Sequence, residues 1–224
     1  LTGIAAGGLM GALNGALIHC TGINFFVLTL ASGGMLRGIS LMITDGKPIT
    51  KFGKAFMQLG IGRIGEFQFP VLFALTLILL SSPLMFHVKW GNYVQALGGS
   101  ETALKRSGVR TGFYRISVHV FLGITAAVTA VIITARLNSA EPNAGMNMEL
   151  DAITAVIMGG TPIRGGNASI AGTVLAVLIL GIIRNGLTLL SVSSDFQQWV
   201  TGFLLLASVL ISEIRVWNTR ALIK

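Results

Sequence analysis

Residues 1–36 contain no Asp, Glu, Lys or Arg. A run of that length suits two helices across a bilayer, each needing about 20 apolar residues. A break is expected near His19-Cys20-Thr21-Gly22. Phe67–Phe86 and Ile116–Ala135 are uncharged runs that match one span each, and Phe196–Ser212 is slightly shorter but adequate. Ile170–Ile183 continues through Arg184 to Leu190 and spans only if the arginine is accommodated. Of the 224 residues, 53% are hydrophobic and 11% charged, where a soluble domain carries about 25% charge. That balance excludes an ordinary soluble enzyme, and one cysteine, Cys20, excludes a disulfide-stapled secreted domain. The expected fold class is all-α: a polytopic transmembrane helix bundle, 1–224 forming a single domain, with one short, broken helix segment.

The broken segment is Ala152–Ile163. It is too short to cross upright, and it runs through Gly159-Gly160-Thr161-Pro162 into Arg164-Gly165-Gly166-Asn167. Glycine and proline end regular helix there. Irregular backbone at membrane depth persists only where protein or a water-filled cavity surrounds it. Gly159, Gly160 and Thr161 are therefore candidates for lining a translocation path. Asn14, Asn24, Thr29 and Asn185 offer neutral hydrogen-bonding groups, and Asn14, Thr29 and Asn185 join the path candidates, although such residues also serve helix–helix contacts. Arg37 and Arg184 interrupt apolar helices. Each either faces an aqueous interior or snorkels to an interface, and Arg37 also lies about two turns from Asp45.

Gly3, Gly7, Gly11 and Gly15 recur every fourth residue and form one small-residue stripe along a helix, the pattern of close interhelical contact. The 16 Lys and Arg against eight Asp and Glu give a net charge of +8. These cations flank the apolar runs instead of gathering on one face, which is a topology signal and argues against a nucleic-acid partner. His87–Arg115 holds Lys89, Lys105, Arg106, Arg110 and Arg115 against Glu101, and the tail holds Arg215, Arg220 and Lys224 against Glu213; both are expected in the cytoplasm. The gap Arg136–Asp151, with Glu141, Glu149 and Asp151, is expected outside. Asp45–Glu66 carries four basic and two acidic residues, yet helix parity also places it outside.

Within the 87–115 loop, Ser100 can cap a short helix from Glu101, with Lys105 and Arg106 in its last turn and Gly108 as a left-handed C-cap. Spacing alone leaves open whether this is a docking element or a plain surface loop. Here the chain resembles a family. Gly-Asn-Tyr-Val-Gln-Ala-Leu-Gly-Gly-Ser (91–100) through Ser107-Gly108-Val109 is similar to the cytoplasmic coupling loop of bacterial ribose-type sugar-importing ABC permeases. So is Glu149-Leu-Asp-Ala-Ile-Thr-Ala-Val-Ile-Met-Gly-Gly-Thr (149–161), with Gly165-Gly166, Gly172-Thr173, Asn185-Gly186-Leu187, Phe25, Thr29-Leu30 and Arg37-Gly38. The resemblance implies a multi-pass permease of the bacterial inner membrane, paired with an identical or closely homologous permease. It also implies cytoplasmic ATPases and a periplasmic sugar-binding protein. Gly98, Gly99, Ser100, Glu101, Ala103, Ser107 and Gly108 would dock the ATPase, and Phe25 joins the path candidates. The chain begins at Leu1 inside an apolar run, so further helices are expected upstream.

The chain holds no G-x-x-x-x-G-K-[ST] phosphate loop, so ATP and Mg are expected on the partner ATPase and no cofactor on this chain. His19, His87 and His119 are far apart, no metal constellation appears, and no nucleophile–base pair can be defended. A transporter subunit is therefore expected, not an enzyme. The alternative is an ATPase-independent secondary transporter or channel for small polar solutes. That alternative predicts acidic residues buried mid-helix, whereas the acids here stand in gaps or near span ends.

Overall fold

The computed structural model describes residues 1–163 and 165–221. Arg164 and Lys224, and the side chains of Glu213, Arg215 and Arg220, lie outside that description. Ten helices are described: α1 (Thr2–Thr21), α2 (Phe25–Thr44), α3 (Lys54–Ile61), α4 (Phe69–Phe86), α5 (Lys89–Gly99), α6 (Glu101–Arg106), α7 (Thr111–Leu137), α8 (Met148–Met158), α9 (Ile170–Leu189) and α10 (Ser194–Ala221). Four two-residue strands, β1 (Ile49–Thr50), β2 (Arg63–Ile64), β3 (Phe67–Gln68) and β4 (Ser139–Ala140), sit in the connections. Among the described residues α1, α2, α4, α7 and α9 are long and apolar enough to cross a membrane, and the 196–212 run lies within α10. This is the all-α polytopic bundle that the uncharged runs predict.

Contacts divide the chain into two compact units, the first comprising Leu1–Leu80 and Thr102–Gly145. Its centre is α1 laid antiparallel on α7. The glycine stripe makes that approach possible. A Cβ on Gly7 would lie 2.5 Å from Ala127 Cβ, and one on Gly15 would lie 2.9 Å from Ile116 Cα. Gly11 sits on the backbone of His119 and Val120, whereas Gly3 has nothing within 4 Å. The turn expected after Cys20 is present: Gly22 closes α1 at φ 67°, and Asn24 Oδ1 accepts the Phe26 N–H at 2.9 Å to start α2.

β1 pairs antiparallel with β4, Ile49 opposite Ala140 and Thr50 opposite Ser139. Gly60 of α3 rests on Ala135 and Arg136 at the end of α7. The 45–66 gap and the start of the 136–151 gap thus lie at the same end of this unit. That is the arrangement helix parity requires, despite the basic residues in the first of them. Arg37 is half-buried in α2 and makes no ion pair with Asp45.

The second unit comprises Ser81–Glu101 and the chain from Met146 onward. α8 runs antiparallel to α9, with Gly159 against Gly172 and Thr173 at one end and Asp151 against Arg184 at the other. Thr154, Ala155 and Ile157 of α8 and Ala176 of α9 are buried between the elements. α8 stops after 11 residues, as its glycines and proline dictate, and α9 restarts at Ser169, whose Oγ accepts the Gly172 N–H at 3.3 Å.

Candidate functional site

The 87–115 loop folds as two helices with a break between them. Trp90, Val94 and Leu97 recur at i, i+4 and i+7 and give α5 an apolar stripe. The 90–100 stretch is expected as loop, and that spacing is the signal in it for a helix. Gly91 lies against the backbone of Leu84 and Met85, and Gln95 Nε2 donates to Met85 O at 3.0 Å, so α5 turns back onto the end of α4. Ser100 is extended (φ −160°, ψ 102°), with its N–H donating to Ala96 O at 3.0 Å. α6 then follows with Glu101 in its first turn, Lys105 and Arg106 in its last, and Leu104 buried. Gly108 ends the element at φ 78°, its N–H donating to Lys105 O at 3.1 Å. The left-handed cap expected there is formed.

The broken segment is a compact turn held by its own backbone. Gly160, at φ 93°, donates to Ile157 O at 2.9 Å, Thr161 N–H donates to Val156 O at 3.1 Å, and Gly165 N–H donates to Pro162 O at 2.9 Å. Thr161 Oγ1 accepts the Ser169 N–H at 3.2 Å, closing the loop. Gly159 admits the first turn of α9, since an added Cβ would lie 2.6 Å from the Gly172 carbonyl carbon.

The end of α5 and this turn meet. A Cβ on Gly98 would lie 2.6 Å from Gly166 N, and one on Gly166 would lie 3.1 Å from Gly99 Cα. Gly98 and Gly99 are candidates for docking, and the turn is a candidate for the translocation path. The structure seats them on one another, backbone on backbone. The other path candidates stand apart from this contact. Asn185 is exposed, 12 residues beyond Thr173 on α9 and so about 18 Å along the helix. In the first unit Asn14 is half-buried, Phe25 is exposed, and the Thr29 hydroxyl donates to Phe25 O at 2.9 Å. Ala103 and Ser107 lie on and just after α6, where Ser107 Oγ donates to Ala103 O at 3.1 Å. Among the described residues no group of three His, Cys, Asp or Glu gathers in a way that could hold a metal ion.

Five apolar helices of spanning length among the described residues define a multi-pass membrane protein. Residues 1–209 match the family model described as branched-chain amino acid transport system / permease component, and the chain belongs to that family of permeases. It is 37% identical over 212 residues to the ribose import permease protein RbsC of Escherichia coli (strain K12), covering 93% of this chain and 66% of the relative. It is 35% identical to the D-allose transport system permease protein AlsC of the same strain, covering 95% of this chain and 65% of that relative. The L-arabinose ABC transporter permease protein AraH of Azospirillum brasilense is 29% identical, over 98% of this chain and 65% of its own length. The chain thus spans just under two thirds of the length of these relatives. No solved structure matches it. The likeness to ribose-type permeases expected from the 91–109 and 149–166 blocks is borne out.

Proposed function

We propose that this chain is the greater part of a membrane-spanning permease subunit of an ATP-driven sugar importer of the ribose type. It resides in the bacterial inner membrane and forms a translocation pathway with a second permease subunit. A periplasmic sugar-binding protein delivers the solute and cytoplasmic ATP-binding subunits supply the energy. The observation that carries this reading is the likeness to ribose, allose and arabinose permeases over more than nine tenths of the chain. In this reading α5 and α6 lie in the cytoplasm and dock the ATPase through Gly98, Gly99, Ser100, Glu101, Ala103, Ser107 and Gly108. Asn14, Phe25, Thr29, Gly159, Gly160, Thr161 and Asn185 belong to the pathway.

The contact of Gly98 and Gly99 with Gly165 and Gly166 supports a direct mechanical route between the two. No side chain cushions the approach, so in this reading a displacement of α5 is passed to the turn at the end of α8. The test is Gly108→Val in the reconstituted complex. The position is open to a side chain but has φ 78°, which costs a non-glycine residue about 1–2 kcal/mol. The end of α6 should rearrange while membrane insertion is unchanged. Loss of sugar-stimulated ATP hydrolysis is expected, and normal stimulated hydrolysis removes the docking role.

A further inference from the structure

The second unit contains one side-chain cluster that the coupling site does not use. α8, α9 and α10 line a cavity of about 320 Å³ whose walls are mainly aliphatic, with Ala155, Val177, Leu180, Leu187 and Leu204 among them. A second hollow of about 450 Å³ adjoins it, and Met148, Asp151, Arg184, Gln197 and Thr201 line both. Both fall in the size range of small-molecule sites, and the combination of apolar walls with a few convergent polar groups is typical of such sites.

At the junction Arg184 NH2 donates to Asp151 Oδ1 at 2.9 Å and to Thr201 Oγ1 at 3.4 Å. Gln197 Nε2 donates to Val192 O at 3.1 Å and to Thr188 Oγ1 at 3.4 Å. Asp151 Oδ2, Gln197 Oε1 and the remaining guanidinium N–H groups have no partner among the described residues, and neither do the side chains of Asn147, Ser194 and Gln198 around the second hollow. The arginine side chain is 52% exposed and the aspartate 26%. An ion pair carried by a spanning helix does not face hydrocarbon. It faces protein or water.

We propose that this cleft is a monosaccharide-binding station, an inference that rests on the sugar-permease reading. The Asp151 carboxylate accepts from hydroxyls of the sugar and the Arg184 guanidinium donates to them, while Thr201, whose own proton goes to Gln197 O at 3.1 Å, offers its oxygen as an acceptor. The aliphatic wall of α9 and α10 takes the C–H face of the ring. Charged partners suit neutral polyols because each forms a charge-assisted hydrogen bond without itself needing neutralisation, Asp151 and Arg184 already balancing each other.

The experiment uses the full-length permease assembled with its ATPase, in detergent, with D-ribose as the probe at millimolar concentration. Saturation-transfer NMR reads binding at the membrane subunit, and ATP-dependent uptake of labelled D-ribose into proteoliposomes with the binding protein reads transport. Wild type should transfer saturation to the sugar. Arg184→Met should weaken that binding at least about tenfold. Thr201→Val, which keeps the side-chain volume and the ion pair, should weaken it several-fold. Normal uptake with no saturation transfer in wild type, or with transfer unchanged in both variants, overturns the cleft as a sugar site and leaves the permease reading intact. Uptake restored by exchanging the charges, Asp151→Arg with Arg184→Asp, while binding was never affected, assigns the pair to holding α8 on α9 and equally overturns the proposal. Failure of wild type to import any aldose removes the sugar reading, and the cleft proposal with it.

Discussion

The contact between α1 and α7 makes a prediction that its own glycines calibrate. Gly3 and Gly11 lie on the same stripe of the same helix, eight residues apart, yet only one of them touches anything. An alanine Cβ at Gly11 would lie 2.8 Å from the carbonyl carbon of His119 and 3.0 Å from Val120 Cα, and closer still to the His119 oxygen. Ordinary contact begins near 3.4 Å and the His119 oxygen is the limiting atom, so the helices must separate by about 1 Å. The obstructing atoms are backbone, and no rotamer change relieves them. Overpacking of this kind costs about 1–3 kcal/mol, and rigid neighbours place Gly11→Ala at the upper end. For a chain of this size 3 kcal/mol corresponds to a fall in melting temperature of about 6–12 °C. Gly3→Ala introduces the same methyl group into open space and should leave the melting temperature unchanged or slightly raised. The assay is thermal unfolding of the two variants in one detergent, followed by loss of monodisperse protein. Coincident melting temperatures for Gly11→Ala and Gly3→Ala would refute the reasoning, because the sequence environment is shared and only the tertiary contact differs.

Orientation is open to a labelling test: a cysteine at Ser107 should react only after the inner membrane is permeabilised, and one at Asn143 should react in intact spheroplasts. The reverse pattern inverts the topology and removes α5 and α6 from the cytoplasm. Replacing Gly159 and Gly160 together with leucine should block uptake, since a Cβ at 159 collides with the start of α9 and position 160 needs φ 93°. Uptake measured beside the amount of assembled complex separates a pathway role from a packing role, and full assembly with normal uptake refutes the pathway reading. Asn24→Ala removes the side chain that caps α2 and should destabilise the protein by about 1 kcal/mol, read as a small fall in melting temperature without change in topology.

The sequence by itself determined the class of fold. Uncharged runs of about 20 residues have one thermodynamic home, the bilayer, and within them the backbone must satisfy its own hydrogen bonds, so helices follow from composition. Breaks were legible for the same local reason: Gly22 closes α1 in the left-handed region, Gly108 closes α6, and Gly159-Gly160-Thr161-Pro162 ends α8. Partners across the fold were not legible. The stripe at Gly3, Gly7, Gly11 and Gly15 announces a close neighbour, but only the structure assigns it to Ile116–Ala127 of α7 and leaves Gly3 unused. Arg184 could be read equally as a snorkelling residue or a buried functional one until α9 folded back along α8 and set it 2.9 Å from Asp151, 33 residues away. Gly98-Gly99 and Gly165-Gly166 gave two separate signals in the chain, and tertiary folding made them one contact. Helix formation and capping depend on residues within one or two turns, so the linear order contains them. Ion pairs and backbone approaches between distant segments depend on which faces meet, which only the packed structure decides.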